Sequence, residues 1–457
     1  MLYTKFKVYL FNILLFGLSI SAYGQQMVSH PLTYFGIGDH QLQNHGIYSA
    51  LGNSYSAVFD STQLNYLNPG TYGTLSTGNT LLTLGINERI SFFSQGSESM
   101  VKPVGTLNHL ILGFKIKRHF GMAFGIKPYA AKGFYMSEKV FTGVDSIKNT
   151  YQGKGYVNDV FVGVTYAPIA TKSTYLGFGA NLSYLFGSVE NQRTSQLILG
   201  TTTSGGIMLD NIRVQSPKVE LGIAYSQRIT DRYTLKLGGT YFPTQSFNAT
   251  LNHSFYTSTN LNNANLYDTL FSDAYKGKVT QNQNFSIGMT HEIKLKDYKH
   301  KSKTLHPNLL VSFQYARKGT VNYQFEGYTL DSLNLSATQY SNRLGVGIEF
   351  SPESKLFENQ STLQFFDKFH YRLGAYYGNL PYADYLNNPF QDRGVSLGLG
   401  IPLLSTPSLS NLNISVNLGQ RGTFKTGSLQ ENYLSIQLGV IVSPASFERW
   451  FRKRKVD

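Results

Sequence analysis

A chain of 457 residues can hold two or three ordinary domains or one large barrel. Charged residues make up only 14%, well below the roughly one quarter usual in soluble domains, and the absence of Cys excludes a disulfide framework, a thiolate zinc site and a lipoprotein-type anchor. The net charge of +14 gathers partly in the signal, in Lys294–Lys303 and in the Arg449–Lys455 tail, local clusters rather than a recognition face, so no nucleic acid partner is expected.

Residues 1–24 read as a secretory signal peptide. Lys5 and Lys7 precede an apolar core from Val8 to Leu18, and Ala22 and Gly24 stand as the small residues before a cleavage at Gln25. The core is too short to cross ~30 Å of hydrocarbon comfortably. Residues 25–77 follow as a separate N-terminal segment. Ala50-Leu51-Gly52 suggests a small-residue helix or turn, and Asn68-Pro69-Gly70 a Pro-anchored bend. Such a segment suits a plug, since a barrel of this length has a lumen wide enough to leak.

Residues 78–446 carry a period of two. In Leu176-Phe178-Ala180-Leu182-Tyr184-Phe186 one face is apolar, while Gly177, Gly179, Asn181 and Ser183 between them are small or polar. The rhythm returns in Val219–Tyr225, Leu344–Phe350, Val395–Ile401 and Leu434–Val442. Weaker copies lie near Leu82, Leu110, Met122, Val160, Tyr233, Phe285, Leu309, Tyr371 and Ile414, giving about fourteen segments. An even number lets an antiparallel barrel close with both ends on the periplasmic side. No apolar run is long enough for a helical span. The fold class expected is therefore all-β: a membrane-embedded antiparallel barrel of about 14 strands with a small N-terminal hatch. A soluble sandwich also alternates, but its outer face would carry charge where this chain carries Gly.

Short connections near Lys117–His119, Ala170–Ser173 and Thr230–Arg232 alternate with long polar stretches near Ala131–Val157, Ser188–Val214 and Phe247–Gln281, which read as extracellular loops. The long Ser351–Lys368 connection falls on the side that should be short. Residues 447–457 form a basic periplasmic tail; Trp450 with Arg449 and Arg452–Lys455 reads either as an interfacial anchor or as an unstructured end.

Catalytic chemistry finds no support. Gly52-Asn53-Ser54-Tyr55-Ser56 lacks the second Gly of a nucleophile elbow, and no His–Asp pair is placed to activate Ser54. Gly153-Lys154-Gly155 lacks the third Gly and the βαβ context of a nucleotide loop. The ten His residues show no metal-ligand spacing, so no metal or cofactor is expected; His40 and His45 read as solvated or lumen polar groups.

Leu51-Gly52, Asp60 and Asn68-Pro69-Gly70 together resemble the N-terminal hatch of the FadL/TodX-type outer-membrane transporters of long-chain fatty acids and other hydrophobic compounds. Tyr34-Phe35-Gly36-Ile37-Gly38-Asp39, Gly419-Gln420-Arg421-Gly422-Thr423, Glu431-Asn432-Tyr433 and the ending Arg449–Lys455 look like a divergent branch of that family. The resemblance implies fourteen strands, a hatch whose gating residues are Asn68, Pro69 and Gly70, a hydrophobic small-molecule ligand, and contact with outer-membrane lipid and lipopolysaccharide. Two departures stand out: Gly70 replaces the family's Ala, and the chain ends in a basic tail instead of a terminal aromatic. The function expected is passive uptake of hydrophobic molecules such as long-chain fatty acids across the cell outer membrane. The alternatives are a barrel that binds a protein partner in a type IX-like secretion machine, and a general porin.

Overall fold

The computed structural model describes residues 30–443 except 35, 40–44, 78–79, 142, 144, 199–203, 301–302, 329–339, 355–364, 384–388, 404–409 and 424–427. The signal segment, the basic tail with Trp450, His40 and most of the Ser351–Lys368 connection lie outside the described residues.

In chain order the strands are β1 (Thr80–Gln95), β2 (Glu98–Lys117), β3 (Phe120–Ala131), β4 (Phe134–Phe141), β5 (Ser146–Ala170), β6 (Thr174–Ile198) and β7 (Gly205–Thr230). There follow β8 (Tyr233–Phe242), β9 (Gln245–Ser258), β10 (Tyr267–Gln281), β11 (Asn284–Lys294), β12 (Tyr298–His300), β13 (Lys303–Leu305), β14 (Asn308–Lys318) and β15 (Val321–Phe325). The last five are β16 (Ser341–Ser351), β17 (His370–Ala383), β18 (Pro389–Pro402), β19 (Asn411–Gly422) and β20 (Gln430–Val442). Eighteen form one sheet, and β12–β13 is a separate hairpin. Four of the eighteen, β4, β9, β10 and β15, prolong β3, β8, β11 and β14 past short breaks, which leaves fourteen barrel strands. β1 pairs with β2 on one side and with β20 on the other, so the cylinder is closed and no edge faces lipid.

Every one of the fourteen alternating segments lies within one of these fourteen barrel strands. Their burial is inverted relative to a soluble protein. On β6, Phe178 and Leu182 are 48% and 64% exposed while Asn181 between them is 0% exposed. Leu221, Ile223, Ile287, Phe313, Leu344, Val346, Leu373, Val395, Leu397 and Leu418 continue an exposed apolar belt around the wall. That pattern is stable only against hydrocarbon.

The three long polar stretches are not loops. Residues 131–157, 188–214 and 247–281 are largely paired strand: β5, β6 and β7 run for 25, 25 and 26 residues, more than twice the 9–11 or so that span a membrane. The reason lies on their inner face. Val157, Val189, Ile212, Val214, Phe247, Leu251 and Val279 pack into one apolar core with Ile37 and Tyr129, so the sheet keeps a reason to stay folded after leaving the lipid. Composition suggested loops because the outer face of this extension is wet and rich in Asn, Thr and Ser.

Candidate functional site

The segment 45–77 lies inside the barrel. Ile47, Tyr48, Leu51, Leu64, Tyr66, Tyr72 and Leu75 are buried against wall residues Leu81, Ile111, Ala123, Phe161 and Ile441. It contains a short helix, Gly46–Ala50, and a 3-10 turn, Pro69–Thr74. His45 caps the helix: its Nδ1 accepts from the Ile47 N–H at 3.1 Å. Burial holds the His45 imidazole well down, to about 3, with the Arg372 charge adding to the effect, so it is neutral.

Asn68 caps the turn and ties it to the wall. Its Oδ1 accepts from the Gly70 N–H at 2.9 Å, and its Nδ2 donates to the Ser56 carbonyl at 2.8 Å and to the Ile223 carbonyl of β7 at 3.0 Å. Thr165 of β5 donates to the Pro69 carbonyl, and Tyr175 of β6 donates to the Gly70 carbonyl at 2.7 Å. Three consecutive residues are thus bonded to three consecutive strands. Elsewhere Gln314 accepts from the Tyr55 and Ser56 amides at 2.6 and 2.8 Å, Ser396 bonds to Ala50 and Gly52, and Lys236 donates to the Phe59 carbonyl at 2.8 Å.

The lumen-facing glycines explain why the plug fits. A Cβ on Gly179 would strike the Pro69 carbonyl, one on Gly177 the Gly70 carbonyl, one on Gly222 the Asn68 side chain and one on Gly238 the Ser56 carbonyl. Gly345, Gly347 and Gly374 stand in the same relation to Leu51 and Gly52. The small residues seen in the alternating pattern are the footprint of the plug's backbone on the wall.

A second locked region lies toward the extended end. Residues 30–34 and 36–39 form a strap: the His30 amide donates to the Gly133 carbonyl at 2.8 Å, and Asp39 bridges Ala131 through both backbone groups. Its side chains meet buried charge on the wall. His30 Nε2 lies 3.0 Å from Glu431, which also pairs with Arg89 at 2.7 Å. Asp39 lies 3.6 Å from Arg421, which reaches Asp392 at 3.4 Å. Tyr433 donates to Asp392 at 2.7 Å and lies 2.5 Å from the Tyr376 hydroxyl. The segments beginning at Tyr34, Gly419 and Glu431, far apart in sequence, therefore meet here. No spacing signal could have shown that the last two close over the first.

Between strap and plug lies a cavity of about 150 Å³. Tyr55, Leu67, Pro69, Tyr129, Phe242 and Tyr323 give it apolar walls, while Asp39, Lys127, Glu220 and Lys318 give it charge. Lys127 and Lys218 share Asp159 and Glu220 there, with Lys218–Asp159 at 2.5 Å and Lys218–Glu220 at 3.1 Å. Ser54 is buried and its Oγ has no hydrogen-bond partner among the described residues, and Lys154 pairs with Glu190 on the outer face of β5 and β6. Among the described residues no group of three His, Asp or Glu could hold a metal ion.

Comparison with solved structures places the fold beside hydrophobic-compound channels. A Pseudomonas aeruginosa FadL homologue aligns with a TM-score of 0.50 at 11% identity over 88% of this chain and 97% of its own. Two TodX monoaromatic hydrocarbon channel mutants, deltaS2S3 and deltaS2, align with a TM-score of 0.50 at 12% and 14% identity, over 88% and 89% of this chain and 99% of each of theirs. At such identities the likeness is one of fold. No curated protein matches the chain. The BamG family model matches residues 6–457, nearly the whole sequence, and the chain belongs to the BamG family, with a closed β-barrel of FadL/TodX-like fold.

Proposed function

We propose that the protein passes hydrophobic or amphipathic small molecules passively across the cell outer membrane, to which its signal peptide directs it. Asn68, Pro69 and Gly70 act as the gate. The observation that carries this reading is the cavity with Pro69 in its wall, lined by aromatic and by charged side chains. A cavity of about 150 Å³ matches one benzene-sized molecule. A long-chain fatty acid exceeds it, so passage of such a chain requires the plug to shift at the Asn68–Gly70 bonds. The cations Lys127 and Lys318 suit a carboxylate head, and Tyr55, Tyr129 and Phe242 its apolar neighbour. No energy-coupling segment is recognised in the sequence, so flux follows the gradient. Uptake of labelled oleate and labelled toluene is compared in cells with the gene, without it, and with residues 25–72 deleted. Unchanged uptake in all three rejects the reading.

A second reading rests on a different feature. The paired sheet of β5–β7, β9 and β10 stands well beyond the apolar belt, a continuous hydrogen-bonded surface larger than a small-molecule channel needs. It suits a protein-binding role in a secretion machine. Gentle extraction decides: a stoichiometric protein partner favours this role, and lipid or small-molecule cargo in the lumen favours transport.

A further inference from the structure

The outer face of the extended sheet carries a concavity of about 580 Å³ whose lining is basic. Arg213 on β7, and Lys276 and Lys278 on β10, line it with Gln215, Asn248 and Gln324; a single carboxylate, Glu326, joins them. The register fixes the arrangement. Arg213 and Lys276 both stand opposite Thr250 of β9, and Lys278 stands between Asn248 and Gln324. Neighbouring strands lie ~4.8 Å apart and alternate residues ~6.7 Å apart, so the backbones of the three cations fall within about 12 Å of one another. None of the three forms an ion pair among the described residues, although the lumen clusters pair nearly every charge they hold. Like charges so placed repel unless an anion sits among them.

Height matters as much as charge. The concavity lies on the outward face, three to five residues past the strand breaks at 243–244, 282–283 and 319–320, roughly 10–17 Å along the strands. On the other side of those breaks the same face turns apolar with Tyr241, Leu221 and Leu344, all more than 40% exposed. Beneath lies a groove of about 700 Å³ on the lipid side, walled by Ile223, Leu237, Ile287, Met289, Phe313 and Val346. Its floor is Gly239 of β8, flanked by Ile223 and Ile287. Extended strands mark the extracellular end of such a barrel, so the basic concavity stands at the headgroup level of the outer leaflet.

We propose that this face binds one phosphorylated lipid of the outer leaflet: its phosphoryl group sits among Arg213, Lys276 and Lys278, and an acyl chain lies in the groove over Gly239. The site is separate from the lumen and does not depend on what the lumen carries. Its ligand chemistry is a phosphate monoester carried on acyl chains.

The test is native mass spectrometry of the full-length mature protein in detergent, titrated with lipid A and, separately, with phosphatidylethanolamine. The triple variant Arg213→Gln/Lys276→Gln/Lys278→Gln is compared with Lys139→Gln/Lys172→Gln/Lys299→Gln, which removes three exposed cations elsewhere. The first variant weakens lipid A retention by on the order of a hundredfold, from a factor of roughly five per cation. The second leaves it unchanged, and Gly239→Leu, which fills the groove without altering charge, weakens it severalfold. Equal retention by both triple variants overturns the proposal. Displacement of lipid A by millimolar inorganic phosphate overturns the lipid assignment, because a free anion would then suffice.

Discussion

Two adjacent glycines separate the roles of the wall's two faces. Gly238 points inward, where a methyl group would meet the Ser56 carbonyl; Gly239 points outward, where the nearest atom would be at an ordinary 3.4 Å. Gly238→Ala is therefore expected to dislodge the plug around Ser56, and Gly239→Ala to leave it seated. Limited proteolysis of the 45–77 segment in detergent reads the difference, and equal protection in both variants would refute it. Asn68→Ala removes a turn cap and takes one donor each from the Ser56 and Ile223 carbonyls. A cost of roughly 2–4 kcal/mol follows from the lost cap and the two lost hydrogen bonds, to be measured as a lowered urea midpoint for plug release. At this scale the sequence was partly legible. Asn-Pro-Gly announces a bend whatever surrounds it, but that Asn68 would spend both amide hydrogens on Ser56 and Ile223 depends on β7 lying alongside.

The plug as an element is sensitive to acid through His45. Its imidazole has a folded-state pKa depressed from 6.5 to about 3, first by burial and then by Arg372. A proton binds the released plug before it binds the seated one, so the contribution to stability is complete above about pH 6.5 and falls as the pH drops toward 3. The protection factors of the Ile47–Leu51 amides, exchange rates corrected for their intrinsic pH dependence, are expected to fall over that window, and His45→Asn, which keeps an acceptor at the cap, to flatten the dependence. Protection that stays constant from pH 7 to 4 in the wild type would contradict this. His45 read as a solvated or lumen polar group, and the second half of that reading holds: it is a buried lumen residue. The extended strands show the converse. Asn-, Thr- and Ser-rich stretches at 188–214 and 247–281 looked like loops, since composition reports the wet outer face. Their inward Val, Ile and Phe residues decide the structure.

At the scale of the molecule, the barrel wall and its filling are separable. The closed hydrogen-bond ladder around β1 and β20 does not need the plug to satisfy its backbone. Deleting residues 25–72 is expected to leave an inserted barrel that conducts ions in planar bilayers, whereas the intact protein shows little conductance. Equal conductance of the two would mean that the plug does not seal the lumen.

By itself the sequence determined the wall: a period-two alternation of large apolar residues with Gly and other small residues, where a soluble sheet would carry charge, fits strands with lipid on one side, and an even set of them can close. It also marked where the chain would bend into the lumen. Tertiary structure alone decided what the lumen residues do. The charges at Arg89, Asp392, Arg421 and Glu431 are scattered over more than three hundred positions and become one latch on the N-terminal strap only when β1, β18, β19 and β20 are neighbours. Arg213, Lys276 and Lys278 likewise became a patch through register, because electrostatic energy depends on distance in space and the one-dimensional chain does not record it.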